Sequence, residues 1–368
     1  MRIGIIGAGQ LGQMLGHAAG DLKMSCEFLD PSDAPPAADS GPVIRAAFDD
    51  EEALRQLAAN CDVLTYEFEN VPVAALQKLG AAVPIYPPPA ALKHAQDRLL
   101  EKQLFGELDI PLPGYHAIES RSDLDAAINK LGLPLVIKTR RLGYDGKGQF
   151  VLKNAGDAAT AWQALGGSDL IAEQWVAFDY EVSVIGVRNV DGDTAIYPLS
   201  QNEHRNGILY CSRAPLDAPP LAELAASYMT RLLQHLDYVG VLALELFVVG
   251  DSLLANEFAP RVHNSGHWTI EGSETSQFAN HLLAICNQPP GSTAMKGHAG
   301  MLNLIGSIPP AARAQRVGNL HDYGKAPREG RKLGHITIVA DSATDRDALL
   351  ARVTKTVTES THPNGHET

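Results

Sequence analysis

Residues 241–269 constrain the fold more than any other stretch of the chain. Two apolar segments, residues 241–249 and residues 253–258, flank the short polar sequence GDS at residues 250–252. Apolar segments that are separated by a glycine-containing loop of two to five residues are typical of a β-hairpin. The sequence therefore predicts a hairpin here, with one strand on each side of the loop.

Two glutamates in these apolar segments face each other across the predicted hairpin. A three-residue loop pairs Val249 with Leu253, and the same register pairs Glu245 with Glu257. Opposed side chains in a sheet have Cβ atoms about 5 Å apart, so two carboxylates repel each other unless a cation compensates. Mg²⁺ is held by one or two carboxylates together with substrate phosphates. The alternative is that both side chains lean into solvent from the edge of a sheet.

A polar segment at residues 259–269 follows the second glutamate directly. Its polar and aromatic side chains are Arg261, His263, Asn264, Ser265, His267 and Trp268. Residues that bind phosphates and polar substrates concentrate on loops that a rigid sheet positions. We therefore expect a binding segment, with a polar surface loop as the alternative for His267 and Trp268.

Length and charge narrow the range of functions. A chain of 368 residues favours two or three domains. The formal net charge of −13 argues against a nucleic-acid-binding protein, which would carry a basic patch or stripe. No apolar run reaches the roughly 18 residues of a membrane span, and the N-terminal segment lacks a signal-peptide pattern. We expect neither a nucleic-acid partner nor a membrane partner.

The four cysteines give no sign of a metal site or of a disulfide framework. Cys26, Cys61, Cys211 and Cys286 are far apart in the sequence and lack the short Cys–Cys or Cys–His spacings of metal sites. Reduced thiols of this kind are typical of a cytoplasmic protein, which is the location that we expect.

Residues 2–30 predict a strand, a glycine turn and a helix. GAGQLG occupies residues 7–12, and the next apolar segment ends in Asp30. This pattern matches the GxGxxG fingerprint of dinucleotide-binding folds, in which an acidic residue near this distance binds the ribose. Other open α/β sheets also use such a turn to present helix N-terminal amides to a phosphate. The pattern leaves a dinucleotide and another phosphate ligand open.

Alternating helices and strands continue to a proline run at residues 87–89. Helices at residues 50–60 and 73–79, with a strand at residues 63–66 between them, predict a small parallel α/β domain. Three polar residues follow that strand at the carboxyl edge, where such sheets bind ligands. They are Glu67, Glu69 and Asn70, and a solvated loop is the alternative for each.

A second glycine-rich segment, LPLVIKTRRLGYDGKGQFVL, spans residues 133–152. Its first strand delivers Lys138, and its loop contains Gly143, Gly146 and Gly148 before a second strand. The amides of such a loop can close over a phosphate while the ammonium group neutralises it. The segment is not a Walker loop, because that motif leads into a helix. A flexible surface hairpin is the alternative.

A basic turn precedes the last predicted strand. It carries Lys325, Arg328, Arg331 and Lys332. Such a turn in an acidic protein is either a solvated loop or a contact for an anion.

Together these segments resemble the ATP-grasp superfamily, and within it the family of 5-(carboxyamino)imidazole ribonucleotide synthetases of purine biosynthesis. The resemblance covers residues 1–337. It is carried by GAGQLG, KTRRLGYDGKGQ, EQWV, the EL and NEFAPRVHNSGHWT segments of the hairpin, and GRKLGH. The glycine loop and the paired glutamates mark the superfamily, whereas GYDGKGQ together with APRVHNSGHWT indicates this family.

The resemblance implies an ATP-grasp architecture of mixed α/β and α+β class. A Rossmann-like domain would occupy residues 1–90, the ATP-grasp domain that binds nucleotide and metal would occupy residues 91–289, and a small C-terminal domain with a frayed tail would occupy residues 290–368. ATP and Mg²⁺ would be the cofactors, and the family suggests a homodimer.

The resemblance also implies the binding residues. ATP would be bound by Arg98, Lys138, Gly143, Tyr144, Asp145, Gly146, Lys147, Gly148, Gln149, Glu173, Gln174, Trp175, Val176, Glu181, His204, Asn256 and Glu257. Mg²⁺ would be bound by Glu245 and Glu257. Aminoimidazole ribonucleotide would be bound by Gln10, Leu11, Glu67, Tyr144, Arg261, His263, Asn264, Lys325, Arg331 and Lys332, with its phosphate on the amides of Gln10 and Leu11. The spacing of Asp30 would then be a coincidence.

The implied reaction is the ATP-dependent carboxylation of 5-aminoimidazole ribonucleotide with bicarbonate, through carboxyphosphate. Its products would be 5-(carboxyamino)imidazole ribonucleotide, ADP and phosphate. Arg261 and Lys138 would neutralise charge on the transferring phosphoryl group. Asp145 would accept the proton of the amine, and Lys325 would stabilise the carbamate. The loop at residues 143–148 would exclude water by closing over the site.

Three alternatives can be separated by experiment. Another ATP-grasp ligase, such as a formate-dependent glycinamide ribonucleotide transformylase or a biotin-carboxylase-like enzyme, would use the same ATP-binding residues with a different acceptor. A nicotinamide-dependent oxidoreductase would account for GAGQLG and Asp30, but it would leave the facing glutamates without a purpose. A catalytically silent nucleotide-binding regulator would need neither the metal carboxylates nor the phosphate lysine.

Overall fold

A parallel sheet of four strands occupies the first part of the chain. The computed structural model describes residues 1–80, 82–143, 148–166 and 169–361. The elements of the first part are β1 (Arg2–Ile6), α1 (Gln10–Asp21), β2 (Ser25–Leu29), β3 (Val43–Ile44), α2 (Glu51–Asn60), β4 (Val63–Tyr66) and α3 (Val73–Lys78). The strand order is β3-β2-β1-β4, and all neighbours are parallel. The predicted Rossmann-like alternation is confirmed, so the carboxyl ends of β1 and β4 lie side by side.

Two helices, α4 (Pro89–Ala95) and α5 (Arg98–Glu107), connect the first sheet to the next part. The sequence pattern of residues 90–108 is helical throughout and predicts a single helix, but the helix breaks between α4 and α5. Asp97 causes the break, because its side chain accepts a hydrogen bond from the amide of Leu99 at 3.0 Å and caps α5. The same carboxylate binds Arg140 at 2.7 Å, which ties α5 to the second sheet.

An antiparallel sheet of four strands follows. Its elements are β5 (Tyr115–Ile118), α6 (Arg121–Leu131), β6 (Leu135–Thr139), β7 (Gln149–Leu152), α7 (Ala158–Ala164) and β8 (Leu170–Gln174). The strand order is β5-β8-β6-β7. β6 and β7 are the two strands that the glycine-rich segment predicted, and β8 carries the start of the EQWV motif.

The remaining strands form one large sheet. Its elements are β9 (Tyr180–Arg188), β10 (Thr194–Ile196), β11 (Ser200–Arg205), β12 (Ile208–Ala214), α8 (Pro219–His235), β13 (Gly240–Val249), β14 (Ser252–Ala259), α9 (Thr269–Gly272), α10 (Gln277–Ile285), β15 (His298–Ile305), α11 (Pro310–Ala314), β16 (Asn319–Asp322), β17 (Lys332–Ala340) and α12 (Ala343–Thr361). The order is β14-β13-β9-β11-β12-β15-β17-β16, with β10 paired to β9. The strands of the last part therefore extend the sheet that contains the hairpin.

β13 is buried on both faces, and the alternation of its side chains sets the direction in which Glu245 points. Val241 and Ala243 pack in the cluster that includes β1 and α1, whereas Leu242 and Leu244 pack with α8. Successive side chains of a strand alternate between its faces. Glu245 is the next residue on the face of Val241, so its carboxylate points toward the first sheet.

The hairpin β13–β14 has a different loop from the one predicted, yet its two glutamates do face each other. Val249 pairs with Ser252, so the loop contains two residues and the predicted pair of Val249 with Leu253 is wrong. The register shifts by one residue between Leu246 and Glu245, and Glu245 pairs with Glu257 as predicted. A β-bulge that adds one residue to a strand produces such a shift.

His281 of α10 joins the first sheet to β13. Its Nδ1 atom accepts a hydrogen bond from the amide of Val241 at 3.1 Å, so its Nε2–H donates to Thr65 of β4 at 2.8 Å. Burial lowers the pKa of His281 to about 3, which keeps the ring neutral. The described helices of the chain include none that is long and apolar enough to cross a membrane.

Candidate active site

A cavity of about 720 Å³ lies where the three parts of the chain meet. The first sheet contributes Gln10 and Glu67, the hairpin region contributes Glu245, Glu257 and Arg261, and the last part contributes Lys325 and Arg331. The carboxyl ends of β1 and β4 therefore face the hairpin across one space. This is the ligand position that open α/β sheets favour.

The facing glutamates line this cavity and have different electrostatic surroundings. Burial raises the pKa of Glu245, and repulsion by Glu257 raises it further. Burial opposes ionisation of Glu257 as well, but the positive charges of Arg98 and Lys138 lower its pKa overall. Arg98 Nη1 lies 3.1 Å from a carboxylate oxygen of Glu257.

The donor set of this pair suits a hard divalent cation. Among the described residues, no group of three or more His, Cys, Asp or Glu side chains could hold a metal ion by itself. Two carboxylates that line a cavity large enough for substrate phosphates fit Mg²⁺, which takes the rest of its oxygen ligands from phosphates and water. A structural zinc site needs four protein ligands, which the described side chains around this pair do not supply.

The lysine of the glycine-rich segment is held by a buried carboxylate. Lys138 Nζ donates to Glu173 at 2.8 Å, across neighbouring strands β6 and β8. Burial would raise the pKa of Glu173, but Lys102 and Lys138 together lower it to about 2. Trp175, the third residue of the EQWV motif, is 47% exposed, so its ring is free to contact a ligand. The contact of Lys138 with Glu173 thus joins two of the predicted ATP-binding residues.

A second predicted ATP pair joins β9 and β11. His204 Nδ1 lies 2.5 Å from a carboxylate oxygen of Glu181. Burial lowers the pKa of His204, but the hydrogen bond to Glu181 outweighs it and raises the pKa overall, with help from the charge of Glu245. An acid–histidine pair of this kind can accept and donate hydrogen bonds to ribose hydroxyls.

The glycine loop after β1 is occupied by a carboxylate of the protein. Glu67 accepts hydrogen bonds from the amide of Gly9 at 2.6 Å and from the amide of Gly12 at 2.8 Å. A Cβ atom at Gly7 or Gly9 would lie 2.5 Å from atoms of the Glu67 side chain, which explains both glycines. The positive end of α1 thus binds a negative charge.

Asp30 also contacts the glycine loop. Its carboxylate accepts from the amide of Ala8 at 2.9 Å and from the amide of Ser32 at 2.8 Å. Asp30 is therefore in direct contact with the loop, and the interpretation of its spacing as a coincidental match to the dinucleotide fingerprint stays a prediction. Asp30 lines the same cavity as Gln10 and Leu11.

The polar segment after β14 is partly buried. Arg261 Nη2 lies 2.6 Å from a carboxylate oxygen of Glu69, and His263 Nε2 lies 3.4 Å from one of Glu245. Burial keeps the pKa of His263 well below its usual value, and the charge of Arg261 adds to this effect. Gln277 fixes the backbone of His263 through hydrogen bonds of 2.9 Å and 2.7 Å.

A buried histidine cluster supports this segment from behind. His267 and Trp268 are each 1% exposed, so a surface loop is wrong for both. Tyr323 Oη lies 2.8 Å from His335 Nδ1 and 3.2 Å from His267 Nδ1. The sequence did not identify Tyr323 or His335, because only the fold brings β17 and the turn before it behind His267.

The basic turn before β17 reaches the glycine loop of the first sheet. Lys325 Nζ donates to the side-chain oxygen of Gln10 at 2.9 Å. Burial and the neighbouring charge of Arg331 lower the pKa of Lys325 to about 8. Lys332 and Asn264 line the same cavity, and Asn264 is held by a pair of hydrogen bonds to Asn303.

Part of the predicted ATP loop lies outside the described residues. These positions are Tyr144, Asp145, Gly146 and Lys147. On either side, the carbonyl oxygen of Gly143 accepts from Arg98 Nη2 at 3.3 Å, and Gly148 has a positive φ of +71°. The predicted tail begins at Thr361, which is the last residue of α12, and residues 362–368 also lie outside the described residues.

Three family models match successive parts of the chain. The model of the ATP-grasp domain matches residues 103–278. The model of the ribonucleotide synthetase preATP-grasp domain matches residues 1–96, and that of the phosphoribosylaminoimidazole carboxylase C-terminal domain matches residues 299–348.

Relatives of known name are similar over nearly the whole chain. N5-carboxyaminoimidazole ribonucleotide synthase of Pseudomonas aeruginosa is 50% identical, over 96% of this chain and 98% of its own. N5-carboxyaminoimidazole ribonucleotide synthetase from Thermus thermophilus is 47% identical in sequence. Its crystal structure matches with a TM-score of 0.93 over 99% of this chain and 100% of its own. The synthase from Aspergillus clavatus, in complex with ADP and 5-aminoimidazole ribonucleotide, is 31% identical, with a TM-score of 0.90 over 97% of this chain and 98% of its own.

Proposed function

The chain belongs to the N5-carboxyaminoimidazole ribonucleotide synthase family, and from this premise we propose how its residues carry out the reaction. The fold is the ATP-grasp architecture that the motifs predicted, preceded by a preATP-grasp domain and followed by a smaller domain. The enzyme is an ATP-dependent ligase that carboxylates aminoimidazole ribonucleotide in purine biosynthesis. The predictions of fold, activity and ATP are confirmed, and the comparisons do not favour the other ligases or the oxidoreductase.

The proposed assignment of substrates rests on one observation, the single cavity that joins the glycine loop, the facing glutamates and the basic turn. Aminoimidazole ribonucleotide lies on the first-sheet side, with its phosphate at the amides of Gln10 and Leu11 and near Lys325. ATP lies on the side of the second sheet. Its phosphates reach the facing glutamates, so the two substrates meet at the hairpin.

The assignment of individual residues follows the motifs and stays part of the proposal. Those for ATP are Arg98, Lys138, Gly143, Gly148, Gln149, Glu173, Gln174, Trp175, Val176, Glu181, His204, Asn256 and Glu257, with residues 144–147. Those for the ribonucleotide are Gln10, Leu11, Glu67, Arg261, His263, Asn264, Lys325, Arg331 and Lys332, with Tyr144. Glu245 and Glu257 hold Mg²⁺, which supplies charge neutralisation at the phosphates when it is bound.

The reaction has two steps in this proposal. An oxygen of bicarbonate attacks the terminal phosphorus of ATP, so that ADP leaves and carboxyphosphate forms. The exocyclic amine then attacks the carbonyl carbon, phosphate leaves, and the amine loses a proton. Arg261 and Lys138 stabilise negative charge in the first step. Lys325 stabilises the carbamate in the second step, and Asp145 is the predicted proton acceptor.

The proposal also includes the domain boundaries, the homodimer, the cytoplasmic location and the identity of the cation. The domain boundaries at residues 90 and 289 rest on the sequence. The first follows the strands of the first sheet, whereas the second falls between β14 and β15 of the one large sheet. A homodimer and a cytoplasmic location follow from the family and from the reduced cysteines. We also retain Mg²⁺ as the cation, because the two carboxylates fit it.

Acceptor-dependent ATP hydrolysis tests the proposed function. We expect ADP release to require aminoimidazole ribonucleotide with bicarbonate, and Glu257→Gln to lower the turnover by about 10²-fold or more, because a charge-stabilising ligand at the phosphates is lost. Glu223→Gln, on the exposed face of α8, is the matched control and should keep the native rate.

Two results would contradict the proposal. Stimulation of ATP hydrolysis by glycinamide ribonucleotide with formate alone would refute the assigned acceptor. Near-native turnover of Glu257→Gln would refute the assigned metal pair while leaving the acceptor assignment intact.

A further inference from the structure

We infer that Lys102 and its neighbour Glu101 form a positioning pair. This pair holds the β-bulge that places Glu257 opposite Glu245. The metal-binding consequence rests on the proposed function, whereas the geometry stands by itself. Neither Lys102 nor Glu101 belongs to the motifs that the sequence marked as binding residues. Both residues belong to α5, which packs against the outer edge of β14.

The hairpin loop alone does not place the two carboxylates opposite each other. From the two-residue loop onward, pairs run regularly from Val249–Ser252 to Leu246–Ala255. Continued without a shift, that register would place Asn256 opposite Glu245. Glu257 would then face Leu244, which is fully buried in the apolar cluster with α8. A one-residue slip moves every side chain to the other face of a strand, so the bulge at Asn256 is what brings Glu257 into the cavity.

Lys102 binds the backbone of the bulged residue. Its ammonium group donates a hydrogen bond to the carbonyl oxygen of Asn256. The Lys102 side chain is 0% exposed, and its Nζ lies 3.7 Å from a carboxylate oxygen of Glu101 and 3.8 Å from one of Glu173. A bulged residue leaves the ladder of hydrogen bonds locally disrupted, and a buried carbonyl needs another donor. Lys102 supplies that donor.

Glu101 binds the backbone on the other side of the metal ligand. Its Oε1 atom accepts a hydrogen bond from the amide of Phe258 at 2.8 Å. Two consecutive residues of α5 therefore hold the residues immediately before and after Glu257. β14 is the edge strand of the large sheet, so no further strand is available to make these bonds. The amide of Ala255 is likewise satisfied from outside the sheet, by the carbonyl oxygen of Pro111 at 2.7 Å.

The buried ammonium group also connects the bulge to the phosphate lysine. Glu173 lies between Lys102 and Lys138, with its two oxygens directed to different lysines. A lysine is rarely buried unless it is paired, and here the Glu173 carboxylate and the carbonyl oxygen of Asn256 are its partners. Burial raises the pKa of the neighbouring Glu101 to about 8. The position of Glu257 and the position of Lys138 thus depend on the same ion-paired cluster.

Mn²⁺ binding in the presence of ADP tests this inference without relying on turnover. Free Mn²⁺ is measured by electron paramagnetic resonance, and folding is checked by thermal melting. We expect Lys102→Met to weaken Mn²⁺ binding roughly tenfold or more, as is usual when the support of a metal ligand is removed. Lys130→Met on the exposed face of α6 is the matched control and should bind Mn²⁺ like the native enzyme. The crystal structure of Lys102→Met should show regular pairing at Asn256.

A second variant keeps the test decisive if Lys102→Met does not fold. The side-chain amide of glutamine in Lys102→Gln can still donate to the carbonyl oxygen of Asn256. We therefore expect the Mn²⁺ affinity of this variant to stay within about threefold of that of the native enzyme. This change is smaller than the loss expected for Lys102→Met, which has no donor. A folded Lys102→Met enzyme with native Mn²⁺ affinity would overturn the inference, and so would a folded Lys102→Gln enzyme that loses Mn²⁺. If native enzyme and Glu257→Gln bind Mn²⁺ equally, the proposed metal site itself is wrong and this inference falls with it.

Discussion

Three cationic side chains of the site are each paired with a carboxylate of the protein. Arg98 binds Glu257, Lys138 binds Glu173, and Arg261 binds Glu69. Buried charges require partners, and phosphates carry the same sign of charge as these carboxylates. A substrate phosphate can therefore replace a carboxylate as the partner of a cation, provided that the side chains rearrange locally.

Lys325 gives the site a pH dependence that can be measured. Its pKa of about 8 means that the ammonium group loses its proton as the pH rises through that value. If the charge stabilises the carbamate, kcat/KM for the ribonucleotide should fall by about tenfold per pH unit above the pKa, because only the protonated form is active.

Lys325→Arg should remove that alkaline fall, since arginine stays charged throughout the range. Lys296→Arg, at an exposed position, is the matched control and should keep the native pH profile. An unchanged alkaline fall in Lys325→Arg would show that another group is responsible for it.

At the scale of residues, the sequence predicted best where the pattern was local. The existence of the hairpin and the place of Lys138 near the end of a strand follow from neighbours along the chain. The pairing of Glu245 with Glu257 was predicted from a loop of the wrong length, and it depends on a bulge that no local pattern marks. The carboxylate of Glu67 at the glycine loop lies 55 residues along the chain from one of the amides that it binds, and no local pattern marks that contact. Tyr323 and Lys102 were missed for the same reason.

At the scale of elements, α10 connects the first sheet to β13 through a single ring. His281 is neutral and uses both ring nitrogens, one on Val241 and the other on Thr65. Thr65→Val keeps the shape of the side chain but leaves the Nε2–H group without a partner. We expect the free energy of unfolding to fall by about 1–3 kcal/mol, which is the usual cost of an unsatisfied buried donor.

Urea unfolding of Thr65→Val and of a matched control measures this effect. Thr194→Val lies at an exposed position of β10 and should change the free energy of unfolding by less than about 0.5 kcal/mol. Equal stability of the two variants would contradict the assigned role of His281.

The boundaries of elements were harder to predict than their existence. The sequence predicted one helical stretch where Asp97 separates α4 from α5, because the side chain of Asp97 caps the second helix instead of continuing the first. It predicted a three-residue hairpin loop because nothing in the residues 252–257 marks a bulge. The donor that stabilises the bulge belongs to α5, far away in the sequence.

At the scale of the whole molecule, the last part of the chain completes the large sheet. β12 pairs with β15, and β15 pairs with β17, so the basic turn before β17 is held by strands that continue from the hairpin sheet. That turn returns to the first sheet through Lys325 and Gln10, which are 315 residues apart. The cavity is therefore complete only when all three parts are in place.

Gln10→Ala should weaken the binding of aminoimidazole ribonucleotide and leave the binding of ADP unchanged. The side chain of Gln10 positions Lys325, so we expect roughly tenfold weaker binding of aminoimidazole ribonucleotide, or about 1.4 kcal/mol. Calorimetry with the ribonucleotide and with ADP measures both affinities. Gln13→Ala on the same helix does not line the cavity and is the matched control. Equal losses for ADP and the ribonucleotide would contradict the proposed division of the cavity.

The hairpin contains two departures from the expected register, and they cancel. The loop is one residue shorter than predicted, and the strand is one residue longer at Asn256. During evolution, an insertion in the loop together with a deletion in the strand would leave the two carboxylates facing each other. Either change alone would turn Glu257 away from the cavity. Length variation in this segment is therefore expected to occur in compensating pairs, and an alignment that scores each gap separately would misplace Glu257.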